Sequence, residues 1–403
     1  MGFFRKLFGL GPKSAEDYYS RGFIHGERSE WDEAITEYTK AIGLDPTASG
    51  AYCNRARAYA KKGQWDAAVR DYTKAIELAP DFAMAYYSRG IAHIHKGEYD
   101  AAIESHTKAI ELDPENASAY GNRGTAYACK GEYDQAIADY RKAIAIKPDY
   151  TDAYCNMGTA YDDLGLHAEA IAAFTKAIEL DPRNGVVYMS RAFSFHRKGE
   201  HDQAIADLTQ AIRLDPRNAA TYNSRGLTYL QKGDYDEAIN DFTKAIELNP
   251  DDTNAYENKA AALFATGRHE EACDAYARIV ALNPRLVYVY VSWAGALGRL
   301  GRYAEEIEKC TKALEIDPRC ATAYSNWGAA LYEMDRLADA CDKYAKAIEI
   351  DPGYAMAHCK WGMALAKMGK TAEAEEKWRK AVELDASLKP QIEEMRNELL
   401  GKE

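Results

Sequence analysis

The side chains able to do chemistry in this 403-residue sequence are nine histidines, eight cysteines and one close group of aspartates. His93, His95 and His106 form the densest histidine cluster, a type that suits zinc when imidazoles converge. Asp152, Asp162 and Asp163 gather carboxylates, which suit recognition of a basic group. The cysteines are scattered, and no CxxC, HExxH, phosphate loop or nucleophile elbow occurs. Unpaired cysteine usage points to a reducing compartment and so to a cytoplasmic location. The motif search therefore predicts no enzyme activity, no cofactor and no metal site. Acids outnumber bases 63 to 51, a net charge of −12. That balance argues against a nucleic-acid partner, because phosphate contacts need a basic face. No run approaches the roughly 18 apolar residues of a membrane span.

What must position these residues is a period. Pro46, Pro80, Pro114, Pro148, Pro182, Pro216, Pro250, Pro284, Pro318 and Pro352 each stand 34 residues from the next. A fixed period of this size signals stacked supersecondary units rather than a few separate cores. With the proline at position 32, eleven repeats run 15–48, 49–82, 83–116, 117–150, 151–184, 185–218, 219–252, 253–286, 287–320, 321–354 and 355–388. A leader (1–14) and a tail (389–403) complete the chain.

Within each repeat, apolar and small residues recur at helical spacing on both sides of a turn near position 15, such as Gly131. Each repeat is therefore expected to be an antiparallel helix pair. Ten repeats carry Tyr at position 4, position 8 is always Gly or Ala, and position 20 is Ala except at Glu306. Small residues at 8 and 20 let helices approach, and aromatics at 4, 11, 17 and 24 fill the space between them. Of 29 tyrosines, 23 occupy those four positions, so the tyrosine excess is mainly packing. His93 and His106 sit at positions 11 and 24, which reads them as satisfied core residues rather than metal ligands.

Aromatic 4, small 8, Ala 20, aromatic 24, Ala 27 and Pro 32 at period 34 make residues 15–388 resemble the tetratricopeptide repeat. The resemblance implies an all-α fold, an α-solenoid in which antiparallel helix hairpins form a right-handed superhelix. It also implies that first helices line a concave groove, with positions 2, 5, 6, 9, 12 and 13 facing a protein or peptide partner. An apolar track then passes through Val186, Met189, Phe193, Leu227, Leu230, Phe264, Tyr288 and Val291, suited to an amphipathic helix or apolar peptide. Tyr19 and Tyr87 at position 5, and Tyr332 at position 12, are further groove candidates.

The aspartates gain meaning in this frame. Six repeats place Lys or Arg at position 14, where the end of the first helix favours positive charge, whereas repeat 5 ends that helix with Asp162 and Asp163. Two compensations are open: Arg197 of the next repeat pairing with Asp163, or a Lys or Arg on a ligand. Some relatives clamp a C-terminal carboxylate with Lys, Asn and Arg. Here Asn54, Asn122, Asn156, Asn258 and Asn326 occupy position 6 without the accompanying bases, so no carboxylate clamp for a chaperone tail is expected.

Comparing repeats yields a second rule. Arg at 7 accompanies an acid at 23 five times: Arg21/Glu37, Arg55/Asp71, Arg123/Asp139, Arg191/Asp207 and Arg225/Asp241. Arg89 faces Ser105 and reads as unpaired, while the last three repeats switch to Trp293/Lys309, Trp327/Lys343 and Trp361/Lys377. Ion pairs are expected in the former set and cation–π contacts in the latter. Glu306, at a position otherwise reserved for Ala, is expected to open its hairpin or turn outward, since burying an unpaired carboxylate is costly.

At the ends, Ile392, Met395 and Leu399 share one helical face after Pro390, predicting a C-terminal capping helix over Trp361 and Trp378. The leader sets Phe3, Phe4, Leu7 and Phe8 around Arg5 and Lys6. It reads either as a peripheral membrane contact through residues 1–10 or as a plug over the first hairpin. The sequence thus predicts a non-enzymatic protein–protein interaction scaffold, with a membrane-anchored assembly factor as the alternative.

Overall fold

A computed structural model describes residues 14–399. The expected leader residues Phe3, Phe4, Arg5, Lys6, Leu7 and Phe8 lie outside the described residues. Among those described, there is no strand, and 23 α-helices follow one another as eleven antiparallel pairs and a final single helix. The helix pairs group into two compact bodies that divide between Leu214 and Asp215.

The N-terminal body holds six pairs, with first helices starting at Ala15, Ser49, Ala83, Ala117, Thr151 and Gly185. Their second helices start at Trp31, Trp65, Tyr99, Tyr133, His167 and His201. The C-terminal body holds five pairs on the same 34-residue step, from Ala219–Lys232 to Thr371–Leu384. A short 3-10 turn, Ala386–Leu388, leads into a final helix, Lys389–Leu399.

Local chemistry sets these boundaries. The residue at position 15 reverses the chain with φ between 59° and 89° in every repeat. Nine of those residues are glycine, while Ser29 and Asp335 adopt the same left-handed conformation with a side chain. At the far end of seven repeats, an Asp or Asn before proline folds its side chain over the backbone two residues on. Asp45 accepts from the Thr47 amide at 2.9 Å and Asp317 from Arg319 at 2.9 Å. Proline then prevents the second helix from continuing.

Packing inside a pair rests on one recurring contact. The position-24 aromatic lies flat on the position-8 glycine of the first helix, where any side chain would collide. A Cβ on Gly124 would stand 2.8 Å from the Tyr140 ring, and one on Gly158 would stand 2.7 Å from Phe174. In the C-terminal body, Gly226 under Phe242, Gly328 under Tyr344 and Gly362 under Trp378 repeat the arrangement. These rings are fully buried, so small residue and large ring are two halves of one close-packed unit.

The 7/23 rule holds with one exception. Arg55 donates to both carboxylate oxygens of Asp71 at 2.7 and 2.9 Å. Arg123/Asp139, Arg191/Asp207 and Arg225/Asp241 form the same two-pronged pair. Arg21 instead lies over the Tyr18 ring, and Glu37 pairs with Lys40. Arg89, read as unpaired, donates to Ser105 at 3.1 Å. The sequence comparison also missed a third partner: Arg55, Arg123 and Arg191 each reach back to the threonine at position 25 of the preceding repeat, Thr39, Thr107 and Thr175, at 2.9–3.0 Å. One guanidinium thus joins two helices of its own repeat to the repeat before it. In the C-terminal body, Lys309, Lys343 and Lys377 stand 4.3, 3.8 and 4.3 Å above the rings of Trp293, Trp327 and Trp361. A double-mutant cycle on Arg123→Ala and Asp139→Ala should return a coupling of about 1–2 kcal/mol in unfolding free energy, against near zero for Arg21 and Glu37.

Position-14 lysines likewise do more than meet a helix end. Lys96 pairs with Asp66 at 2.9 Å and Lys130 with Asp100 at 2.7 Å, each acid lying at position 18 of the preceding repeat. Lys62 and Asp32 form the same contact. At the C-terminal end, Ile392 and Leu388 are buried against Trp378, with Met395 and Leu399 packed alongside.

Glu306 corrects the expectation made for it. It neither opens its pair nor turns outward, and only 4% of it is exposed. The helices Val287–Arg299 and Tyr303–Ile316 keep their ordinary lengths. Room comes from Gly298, at position 12 of the facing helix, whose Cβ would stand 2.7 Å from the Glu306 carboxylate. Burial pushes the Glu306 carboxyl up to about 7.

Candidate functional site

In each body, positions 2, 5, 6, 9, 12 and 13 share one face of each first helix. In the N-terminal body its apolar exposure centres on the helix Gly185–Arg197. Val186 is 70% exposed and Phe193 56%, with Met189 half-buried between them. Their spacing of 3 and 4 puts all three on one stripe of that helix. Arg197 lies over the Phe193 ring at 6.0 Å.

Three of the predicted groove residues in this body are already engaged. Asn54 at position 6 donates to the Tyr19 hydroxyl at 2.8 Å, and Asn122 donates to Tyr87 at 3.3 Å. Position-6 asparagines therefore link each first helix to the one before it, which ties Tyr19 and Tyr87 into repeat–repeat packing. Asp162, largely buried, accepts from Ser194 Oγ at 2.6 Å and meets His167 Nδ1 at 2.9 Å. It is part of the framework.

Asp152 and Asp163 differ from Asp162. Both are exposed, and neither forms an ion pair among the described residues. The Arg197–Asp163 pair, one of the two open compensations, does not form; Arg197 is turned onto Phe193. Asp152 borders a recess of about 190 Å3 together with Asn122, Thr125, Tyr150 and Asn156. Gly121, Ala153 and Cys155 complete the mostly polar lining, and no cation contributes to it.

In the C-terminal body, Leu227, Leu230, Phe264 and Val291 are half-buried. Leu227, Leu230 and Phe264 pack against the central cluster of Phe242, Leu263 and Ile279. Tyr288 is 52% exposed and donates its hydroxyl to Glu257, which raises its pKa to about 12. Tyr332 stands under Lys367, 5.0 Å from its Nζ, and borders a cavity of about 210 Å3 with Tyr344, Met356, Lys360 and Met363. The predicted apolar track is thus unequal. Its exposed anchors are Val186, Phe193 and Tyr288, and the rest is half-buried.

The histidine cluster does not converge. His93 meets Glu98 at 2.7 Å, and His95 stacks on Trp65 with ring centres 4.1 Å apart. His106 is fully buried on Gly90, but neither ring nitrogen has a partner, which corrects its reading as a satisfied core residue. Burial lowers its pKa to about 4. Among the described residues, no group of three or more His, Cys, Asp or Glu is arranged to hold a metal ion, and no helix is long and apolar enough to cross a membrane.

Tetratricopeptide repeat profiles match residues 151–184, 219–252, 53–113, 107–138, 242–274 and 321–354, and a TPR repeat profile matches 24–63, 126–165 and 192–233. The chain belongs to the tetratricopeptide repeat family. Such matches agree with the paired helices, and members of the family mediate protein–protein interaction. The C-terminal part of a TPR repeat-containing protein from Cytophaga hutchinsonii is 19% identical, spans 60% of this tetratricopeptide repeat chain and 98% of its own, and has a TM-score of 0.51. It shares the fold. MamA is 33% identical over 42% of this chain and 92% of its own, with a TM-score of 0.40. YrrB, described as a TPR protein with an unusual peptide-binding site, is 26% identical over 47% of this chain and 97% of its own, with a TM-score of 0.42. No curated protein matches the chain.

Proposed function

We propose that this tetratricopeptide repeat protein is a non-enzymatic scaffold that seats a segment of a protein partner on its first-helix face. The stripe of exposed Val186 and Phe193 with half-buried Met189 between them is the anchor. The observation carrying this reading is that Phe193 and Val186 are large, mostly exposed apolar side chains at positions 9 and 2 of a helix whose other apolar residues are covered. A ring left in water at a groove position is stabilised by a partner that covers it, and such aromatic anchors dominate binding energy. Tyr19 and Tyr87, by contrast, are tied into repeat–repeat packing.

Affinity capture from a cell lysate with the wild-type chain, Phe193→Glu, and a second-helix control, Lys176→Glu, tests the reading. At least one captured protein should fall by about 10-fold or more with Phe193→Glu and stay level with Lys176→Glu. Equal capture by all three would remove the anchor role of Phe193. Because Phe193 is exposed, its replacement should leave the thermal midpoint within about 1 °C of wild type.

A further inference from the structure

We infer that the segment seated on repeats 4–6 is a basic amphipathic helix, with Lys or Arg entering the Asp152 recess and meeting Asp163 beside the Phe193 stripe. This rests on the proposed groove reading and names the partner's chemistry. Three observations converge. Asp152 and Asp163 are exposed carboxylates without an ion pair among the described residues, at groove positions 2 and 13 of one first helix. Asp152 borders a polar recess of about 190 Å3 to which no cation contributes. Lys147, the base one turn away in sequence, lies over the Tyr150 ring at 5.3 Å rather than lining the recess.

Asp163 carries a further uncompensated element. It closes the helix Thr151–Asp163, where the carbonyl ends already hold partial negative charge. The residue that would have neutralised it, Arg197, is committed to Phe193. A ligand cation would meet both the carboxylate and the helix end. Asp162 is excluded from this role, because Ser194 and His167 occupy its oxygens.

The geometry sets the ligand's spacing. Asp152 and Asp163 are eleven residues apart on one helix, a rise of about 16 Å. Val186, Met189 and Phe193 run over about 10 Å of the next first helix, which packs beside it. A ligand helix laid along this strip places basic residues at i and i+11, with apolar residues on the intervening turns facing the stripe. Recognition therefore combines an apolar seat with two terminal charges, and charge contributes selectivity more than raw affinity.

The test uses three rhodamine-labelled 16-residue amphipathic peptides that share one apolar face and differ only at i and i+11: Lys, Gln or Glu. Binding to the full chain is read by fluorescence anisotropy at low and high salt. The Lys peptide should bind about 4- to 20-fold more tightly than the Gln peptide at low salt, with the difference shrinking at high salt. The double variant Asp152→Asn/Asp163→Asn should erase that preference without lowering the thermal midpoint, since both side chains are exposed and Asp163 opposes its helix end. Equal binding of the three peptides, or a lysine preference that survives the double variant, would overturn the inference. If Phe193→Glu abolishes binding while no lysine preference exists, only the charge inference falls. If no peptide binds, or Phe193→Glu changes nothing, the groove reading falls with it.

Discussion

Replacing His106 with phenylalanine is expected to stabilise the protein at neutral pH and to stabilise it further in acid. His106 occupies the position that holds Tyr38, Tyr72, Tyr140 and Phe174 in neighbouring repeats, and its ring lies on Gly90 as theirs lie on their small partners. Unlike phenylalanine, it buries two ring nitrogens without a partner, at a cost of about 1–3 kcal/mol. Its pKa falls from 6.5 to about 4 through burial, aided by Arg123 and His93 nearby. The sign follows directly. Above the unfolded value of 6.5, neither state is protonated and the native stability is complete. As pH falls from 6.5 towards 4, the unfolded chain takes a proton that the native core refuses. The loss reaches about 3 kcal/mol. His106→Phe removes this loss, because Gly158 under Phe174 shows that the same site geometry accepts the ring. Thermal midpoints of variant and wild type compared from pH 7 to pH 4.5 should diverge steadily. Parallel curves would show that His106 takes up its proton in the folded state without penalty.

Glu306 gives a prediction of opposite sign in the C-terminal body. Its carboxyl rises from 4.5 to about 7 through burial, eased slightly by Lys360. The native state keeps its proton while the unfolded chain loses one as pH rises from 4.5 to 7. Stability therefore declines over that window by about 2–3 kcal/mol and is flat above it. Glu306→Ala, which restores the residue found at position 20 of the other ten repeats, should recover that stability at pH 7.5 and change little at pH 4.5. Gly298 turns this into a sharper test. The three atoms nearest its absent Cβ all belong to Glu306. Gly298→Ala should thus destabilise the wild type by overpacking. In the Glu306→Ala background the same change should be stabilising, by about 0.5–1 kcal/mol from helix propensity. Destabilisation of equal size in both backgrounds would show that the glycine serves something other than the carboxylate.

Both predictions concern places where the repeat pattern is broken, and those places were only half legible beforehand. Position 20 marked Glu306 as foreign, yet the expectation that it turns outward considered one helix alone. The compensating signal, glycine at position 12 of the facing helix, lies at Gly298 and acquires meaning only when that helix is set against position 20. Comparing positions 7 and 23 did succeed. It anticipated four two-pronged Arg–Asp pairs and three Lys–Trp contacts, because those partners belong to one hairpin with a fixed register. Partners in the preceding repeat, such as Thr107 for Arg123 or Tyr19 for Asn54, went unseen. Their spacings of 16 and 35 residues acquire meaning only when one hairpin is set beside another.

The sequence by itself determined the period, the helix pairs, the turn at position 15 and the family, because each follows from local conformational preference repeated eleven times. Small residues, glycine turns and prolines act within a few residues of themselves, so spacing suffices to place them. Tertiary structure alone decided which side chains remain available. Tyr19, Tyr87 and Asp162 lie on the nominated face, and hydrogen bonds between repeats consume them. Asp152, Asp163, Val186 and Phe193 share that face and stay exposed. Repeat position is common to both sets and cannot separate them. Availability depends on what an adjacent helix presents at hydrogen-bonding distance, a property of two segments brought together rather than of either one.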